Sequence, residues 1–188
     1  MTAQAFLTLA TAFGLSTAAG LNAYIPLFLV AVLSRTTTLI TLNEPYTALG
    51  NWWVIGTLGV LLVIEILVDK IPAVDTINDL IQTFVRPAAG AILFAASPNV
   101  IGLHPALAAV CGVILAGGVH VAKTVERPVI TATTAGMGDP VVSTVEDAAS
   151  FITSILAVVA PYLVIALLVI GLSLMIWWIE RRRRRRTR

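Results

Sequence analysis

Two clusters of ionisable side chains interrupt an otherwise apolar chain. Glu65, Asp69, Lys70, Asp75, Asp79 and Arg86 form one; Lys123, Glu126, Arg127, Asp139, Glu146 and Asp147 form the other, four acids and two bases in each. Glu65 lies thirteen residues beyond Trp52, between Ile64 and Ile66 and one helical turn before Asp69, so a helix would put both carboxylates on one face. Two close carboxylates resist simultaneous ionisation, which makes them a candidate proton or cation site. The plainer reading is an ion pair from Glu65 to Lys70 or Arg127 that holds a bundle together. Lys123 and Arg127 are a turn apart, with His120 a turn earlier, a basic face able to answer an acidic one or to hold an anionic head group. His104 and His120 are sixteen residues apart without ligand-like spacing, so no metal site is expected. The chain has no phosphate-cradling glycine loop, nucleophile elbow or zinc-protease motif. Neither an enzyme nor a cofactor is therefore expected.

The two clusters share local sequence. Pro72-Ala73-Val74-Asp75-Thr76-Ile77-Asn78-Asp79 lies over Pro140-Val141-Val142-Ser143-Thr144-Val145-Glu146-Asp147 with Pro, Val, Thr and the final Asp coinciding. Beyond it, Asp75, Asp79, Gln82, Arg86 and Ser143, Asp147, Ser150, Ser154 keep the same four-three-four spacing, which confines each set to one helix face. This predicts two hairpin-like repeats, 52–97 and 103–160. In each, a descending span, followed in the second by a longer linker, leads into a proline-started helix, with Asp139 able to cap the second. An amphipathic helix on the membrane surface is the alternative for 72–86.

The elements that must position these groups follow from composition. Of 188 residues 58% are hydrophobic and 12% charged, against roughly 25% charged in a soluble domain, which excludes a soluble globule. Seven of the twelve basic residues are Arg181 to Arg186 and Arg188; positions 1–180 hold 5 bases against 10 acids. The basic balance thus belongs to a tail and gives no argument for nucleic acid. Apolar runs at 3–33, 52–68, 87–97, 103–122 and 148–179 approach or exceed the roughly 20 residues that cross a bilayer. The first run is too long for one straight crossing, and Gly20-Leu21-Asn22-Ala23-Tyr24-Ile25-Pro26 offers a break. It reads either as a kinked helix or as a discontinuous helix whose freed backbone groups line a site. Trp52-Trp53 and Trp177-Trp178 read as interfacial anchors. Ala108, Gly112 and Ala116, with Gly117 and Gly118, form a small-residue face for close packing, within the chain or with a second copy. Segment 131–138, built of small residues, reads as a linker, with a re-entrant loop as the alternative.

The loop 97–105 carries no Asp, Glu, Lys or Arg, so the positive-inside rule places it outside and the arginine tail in the cytoplasm, where it attracts anionic lipid. A cytoplasmic Lys123 and Arg127 then require a turn at Ala160-Pro161-Tyr162 between two crossings. Alternatively, 151–179 is one kinked span and the 123–147 region is external.

On Gly20 to Pro26, on Glu65 with Asp69-Lys70-Ile71-Pro72-Ala73-Val74-Asp75, on Arg86-Pro87 and on Val142-Ser143-Thr144-Val145-Glu146-Asp147, the chain resembles a family of small prokaryotic integral membrane proteins, domain of unknown function 4126. The resemblance covers nearly everything except the tail and implies a compact multi-span membrane protein, with no activity attached.

The sequence therefore predicts an all-α polytopic membrane protein of the inner or plasma membrane. It has five to seven segments, a broken first helix, one embedded domain over 1–180 and a cytoplasmic tail over 181–188. The expected function is a small transporter or channel-like protein for a proton, a cation or a small polar solute. Asn22, Glu65, Asp69, Asp75, Asp79, Arg86, His120, Lys123, Arg127, Glu146 and Asp147 are the binding candidates. The alternative is a non-transporting membrane scaffold or a lipid-binding or assembly factor.

Overall fold

In the computed structural model the described residues are 3–97 and 103–163, with single positions between 166 and 181, and excluding the side chains of 72–77. The order is α1 (Ala3–Leu21), α2 (Tyr24–Thr36), a short 3-10 helix (Tyr46–Gly50), α3 (Trp52–Val68), α4 (Pro72–Ala96), α5 (Pro105–Thr134) and α6 (Asp139–Val159). The described residues contain no strand. Three helices, α1, α5 and α6, are long and apolar enough to cross a bilayer, and α2 and α3 are shorter apolar helices. The all-α expectation holds. The tail beyond Arg181, Trp178 and loop residues 98–102 lie outside the described residues.

The break in the first run is a reversal. Leu15, seven residues before Asn22, and Val30, seven after Ala23, line one cavity; in a continuous helix they would stand about 22 Å apart. Asn22 makes the turn: its Oδ1 accepts from the Tyr24 and Ile25 amides at 3.0 and 3.1 Å, capping α2, while its own amide donates to Ala18 O at 3.1 Å. Pro26 falls in the first turn of α2, where a missing donor costs nothing.

Hydrogen bonds fix the directions of the other helices. α1 runs antiparallel to α6, through Thr11 to Ala157 O and Ser150 to Ala18 O, and antiparallel to α4, through Ser16 to Gly90 O together with the ring contact of Phe13 on Phe94. α4 and α5 are antiparallel, Phe94 meeting Ala108 near one end and Arg86 meeting His120 further along. They cross in close contact at Gly90 and Gly112, where a Cβ on Gly112 would run into the Gly90 carbonyl; a Cβ on Gly90 would come 2.5 Å from the Ala116 Cβ. The small-residue face is thus covered by α4 within the chain. Packed against these, α3 contributes Ile55 and Leu58 to the core and turns its remaining apolar surface outward.

Two local expectations change. α5 continues through Pro128 to Thr134, so the linker shrinks to a turn at 135–138 with Ala135 and Gly136 at φ 51° and 80°. Nothing obliges α5 to end at Lys123, because Lys123 and Arg127 are buried against partners while Glu126 faces out. Nor does the Asp139 carboxylate cap α6; it accepts the Thr131 hydroxyl at 2.9 Å. α6 ends before Ala160, where a turn was expected.

Gly112→Ala should lower stability by about 1–3 kcal/mol, as overpacking does. Gly118→Ala, whose Cβ meets nothing within 4 Å, should be neutral or stabilising by about 0.5–1 kcal/mol. Thermal unfolding of the detergent-solubilised variants would check both.

Candidate functional site

The charged residues converge where the α1–α2 turn, the C-terminal end of α3, the N-terminal halves of α4 and α6 and the middle of α5 meet. Arg86 is the innermost, with no exposed surface. Its Nη2 lies 3.3 Å from Glu65 Oε1 and 3.9 Å from Asp69 Oδ2, and its Nη1 donates to His120 Nδ1 at 3.1 Å. Across the ring, His120 Nε2 is 3.1 Å from Thr83 Oγ1, whose own proton goes to Asp79 O. His120 Nδ1 must accept from a guanidinium, so the ring proton sits on Nε2 and donates to Thr83. His120 is thus a neutral bridge from α5 to α4.

Asp69 is the hub. Its Oδ2 faces Arg86, Lys123 at 3.7 Å and Arg127 at 3.6 Å, and its Oδ1 accepts from Asn78 at 2.7 Å. Glu146 Oε2 takes Lys123 at 2.8 Å and Arg127 at 3.2 Å, and Arg127 Nη1 reaches Asp79 at 3.7 Å. Further out, Asp147 accepts from Asn22 Nδ2 at 2.8 Å and lies 3.7 Å from Lys70. Lys123 also donates to Leu21 O at 3.4 Å, so a cation closes the C-terminal end of α1, whose dipole favours it. The α1–α2 turn thereby brings two helix ends of opposite polarity to the cluster.

Exposure falls steadily along this chain of groups. The Lys70 side chain is 35% exposed, Asp79, Asp147 and Glu146 are at 14–18%, Arg127 at 9%, Lys123 and Asp69 at 2–3%, and Glu65 and Arg86 at 1% or less. At the inner end several polar atoms have no hydrogen-bond partner among the described residues: Glu65 Oε2, Gln82 Oε1 and Arg86 Nε. Gln82 lies one turn before Arg86 and is itself 2% exposed. Two acceptors and one donor are thus left open at the inner end, with Asp79 Oδ1 and Ser143 Oγ elsewhere, in surroundings where an unmade hydrogen bond is expensive.

The family model described as Domain of unknown function (DUF4126) matches residues 9–181. The chain belongs to this family. Neither the curated proteins nor the solved structures hold a match to it. In this DUF4126 protein ten of the eleven expected site residues come together: Asn22, Glu65, Asp69, Asp79, Arg86, His120, Lys123, Arg127, Glu146 and Asp147. The Asp75 side chain lies outside the described residues. Glu65 pairs with Arg86, whereas Lys70 takes Asp147, and Arg127 takes Asp69, Asp79 and Glu146. Asn78 and Thr83 were missed, since they lie off the polar stripe; Gln82 and Ser150 were on it. A surface helix at 72–86 does not fit a fully buried Arg86.

Removing one partner of a buried pair strands the other charge. Arg86→Gln should therefore cost about 3–5 kcal/mol, and the double variant Glu65→Gln/Arg86→Gln should recover much of it. Unfolding in detergent would read both, and a double variant no better than Arg86→Gln would place the cost elsewhere.

Proposed function

We propose that this protein is a small multi-pass transporter or channel-like protein carrying a proton, a cation or a small polar solute, and not an enzyme. The observation that carries the reading is the graded polar chain. It begins at a water-accessible rim, at Lys70, and ends at a fully buried carboxylate, amide and guanidinium with open hydrogen-bonding atoms. Buried hydrogen-bonding atoms beside an ion pair give a hydrogen-bonding cargo groups to bind, which supports the transport reading. Charged and polar groups at membrane depth recur in ion pathways and proton relays.

The topology proposed with it has seven crossings. Chain direction alternates from α1 through α6, and a last crossing after Ala160 returns the arginine tail to the end that holds Lys70 and the turn at 135–138. That end is then cytoplasmic by the positive-inside rule, the charge-free loop after Ser97 is external, and the tail lies against anionic lipid of the inner or plasma membrane. We also read 52–97 and 103–160 as parallel repeats. α4 and α6 run in one direction against α1, and Gln82 and Ser150, Arg86 and Ser154, Ala89 and Ala157 occupy equivalent buried positions. In neither repeat do the two helices form a closely packed hairpin: α4 packs chiefly on α5, and α1 wedges against α4, α5 and α6.

One observation favours the alternative of a non-transporting scaffold or lipid-binding factor. Five acids of the cluster face four bases, and each makes an ion pair with at least one of them.

Purified protein in liposomes separates the two. Proton entry would be read with trapped pyranine under a potassium diffusion potential, sodium entry with a trapped sodium dye, and urea entry by light scattering. Transport predicts a flux above empty vesicles for one probe. If the cargo is a proton, Glu65→Gln should slow it about a hundredfold, the order expected when a positioned proton-transfer group is lost. Fluxes equal to empty vesicles for all three probes would sink the transport reading.

A further inference from the structure

At the opposite end of the bundle from the charged cluster lies a cavity of about 140 Å³, bounded by α1, α2, α4 and the strap 39–42. Its rim residues Gln4, Leu39 and Thr41 are exposed, whereas its floor residues Leu15, Val30 and Leu93 are 1–2% exposed. The wall has no charged residue but is rich in hydroxyls. Thr8 donates to Gln4 O, Thr11 to Leu7 O and Ala157 O, and Ser97 to Leu93 O. With their protons committed to the backbone, these oxygens can present only lone pairs, a lining suited to water or to a hydrogen-bond donor.

The helical register relates this cavity to the charged cluster. Leu15 is seven residues from Asn22 on α1, Val30 is seven from Ala23 on α2, and Leu93 is seven from Arg86 on α4. Three helices thus agree on a separation of about 10 Å between the cavity floor and the inner end of the cluster. On α1 and α4 the side chains buried in that interval are small, Ser16, Ala18, Ala19 and Ala89, whereas α2 fills its side with Ile25, Pro26, Leu27 and Leu29. Ser16 donates to Gly90 O at 3.0 Å across it, and Phe13 packs edge-on against Phe94 beyond it, tying α1 to α4. Only the α1–α4 seam of the partition is built of small side chains above the leucine–valine floor, so a small separation of α1 from α4 would open it there. Apolar constrictions of this kind gate by excluding water.

We propose that this cavity is the second mouth of the pathway, facing the opposite side of the membrane from Lys70, and that Leu15, Val30 and Leu93 form its gate. The inference rests on the transport reading above and adds to it where the cargo leaves or enters.

The test uses the full chain in liposomes, in a Cys111→Ser background, with Thr11→Cys on the cavity wall, Lys70→Cys at the rim of the charged cluster, and an impermeant thiol reagent added from either face. Trapped pyranine, a trapped sodium dye and urea light scattering read the flux. The two cysteines should react from opposite faces, and labelling Thr11→Cys should slow the wild-type flux at least about tenfold by filling the mouth. Leu93→Ser, which lets water cross the floor, should raise it. Should Leu93→Ser fail to fold, the cysteine variants decide alone. Reaction of both cysteines from one face, or a flux indifferent to the label at Thr11, overturns this inference and leaves the transport reading standing. A parent protein that passes neither probe nor sodium overturns the transport reading, and this inference with it.

Discussion

An arginine with no access to water must have its charge answered inside the protein, and much of this fold follows from answering Arg86. Its guanidinium lies between Glu65 and Asp69 at the end of α3 and His120 on α5. An isolated guanidinium there would be prohibitively costly, so α3 and α5 are both drawn to α4. The dependence continues outward. Asp69 alone cannot answer Lys123 and Arg127 as well, and Glu146 supplies the second carboxylate, which brings α6 into place. For α3, which buries few apolar residues, these ion pairs supply much of its attachment at that end.

Side chains of limited reach can pair across helices only if the helices lie close together. Gly90, Gly112 and Gly20 meet that requirement, since a methyl at each would overlap the facing helix. In lipid, where apolar burial does not drive helices together, such close contact is itself the attraction. The glycine crossing and the charged cluster are therefore one design: the first sets the spacing that the second needs. Asn22 joins them to the α1–α2 turn, capping α2 with its carbonyl oxygen and holding Asp147 with its amide.

The resulting body is polar at both ends and apolar between them. One end is a net of paired charges that tightens towards Glu65 and Arg86; the other is an uncharged, hydroxyl-lined cavity. Small residues on α1 and α4, with Ile25, Leu27 and Leu29 of α2, make the partition between the two ends. The pathway proposed above uses both ends, the charged one as one mouth and the uncharged one as the other.

Local periodicity carried a good deal of this to the sequence. Asp79, Gln82 and Arg86 share a face because of their spacing, the face at Ala108, Gly112 and Ala116 announces a close crossing, and Gly20 to Pro26 marks a break. Each is a property of one helix or one turn and needs no neighbour to define it. The partners were not legible. Glu65 finds Arg86 rather than Lys70 or Arg127, and Asn22 reverses the chain rather than kinking it. The small face meets α4, and Thr8 and Thr11 line a cavity with residues of α2 and α4. Those outcomes depend on the relative register of helices far apart in the chain, set by which crossing lets every buried charge find its counter-charge at once. The sequence by itself determined the all-helical, membrane-type character and the faces that carry charge; the tertiary structure decided which faces meet, because only there do packing distance and charge pairing have to be satisfied together.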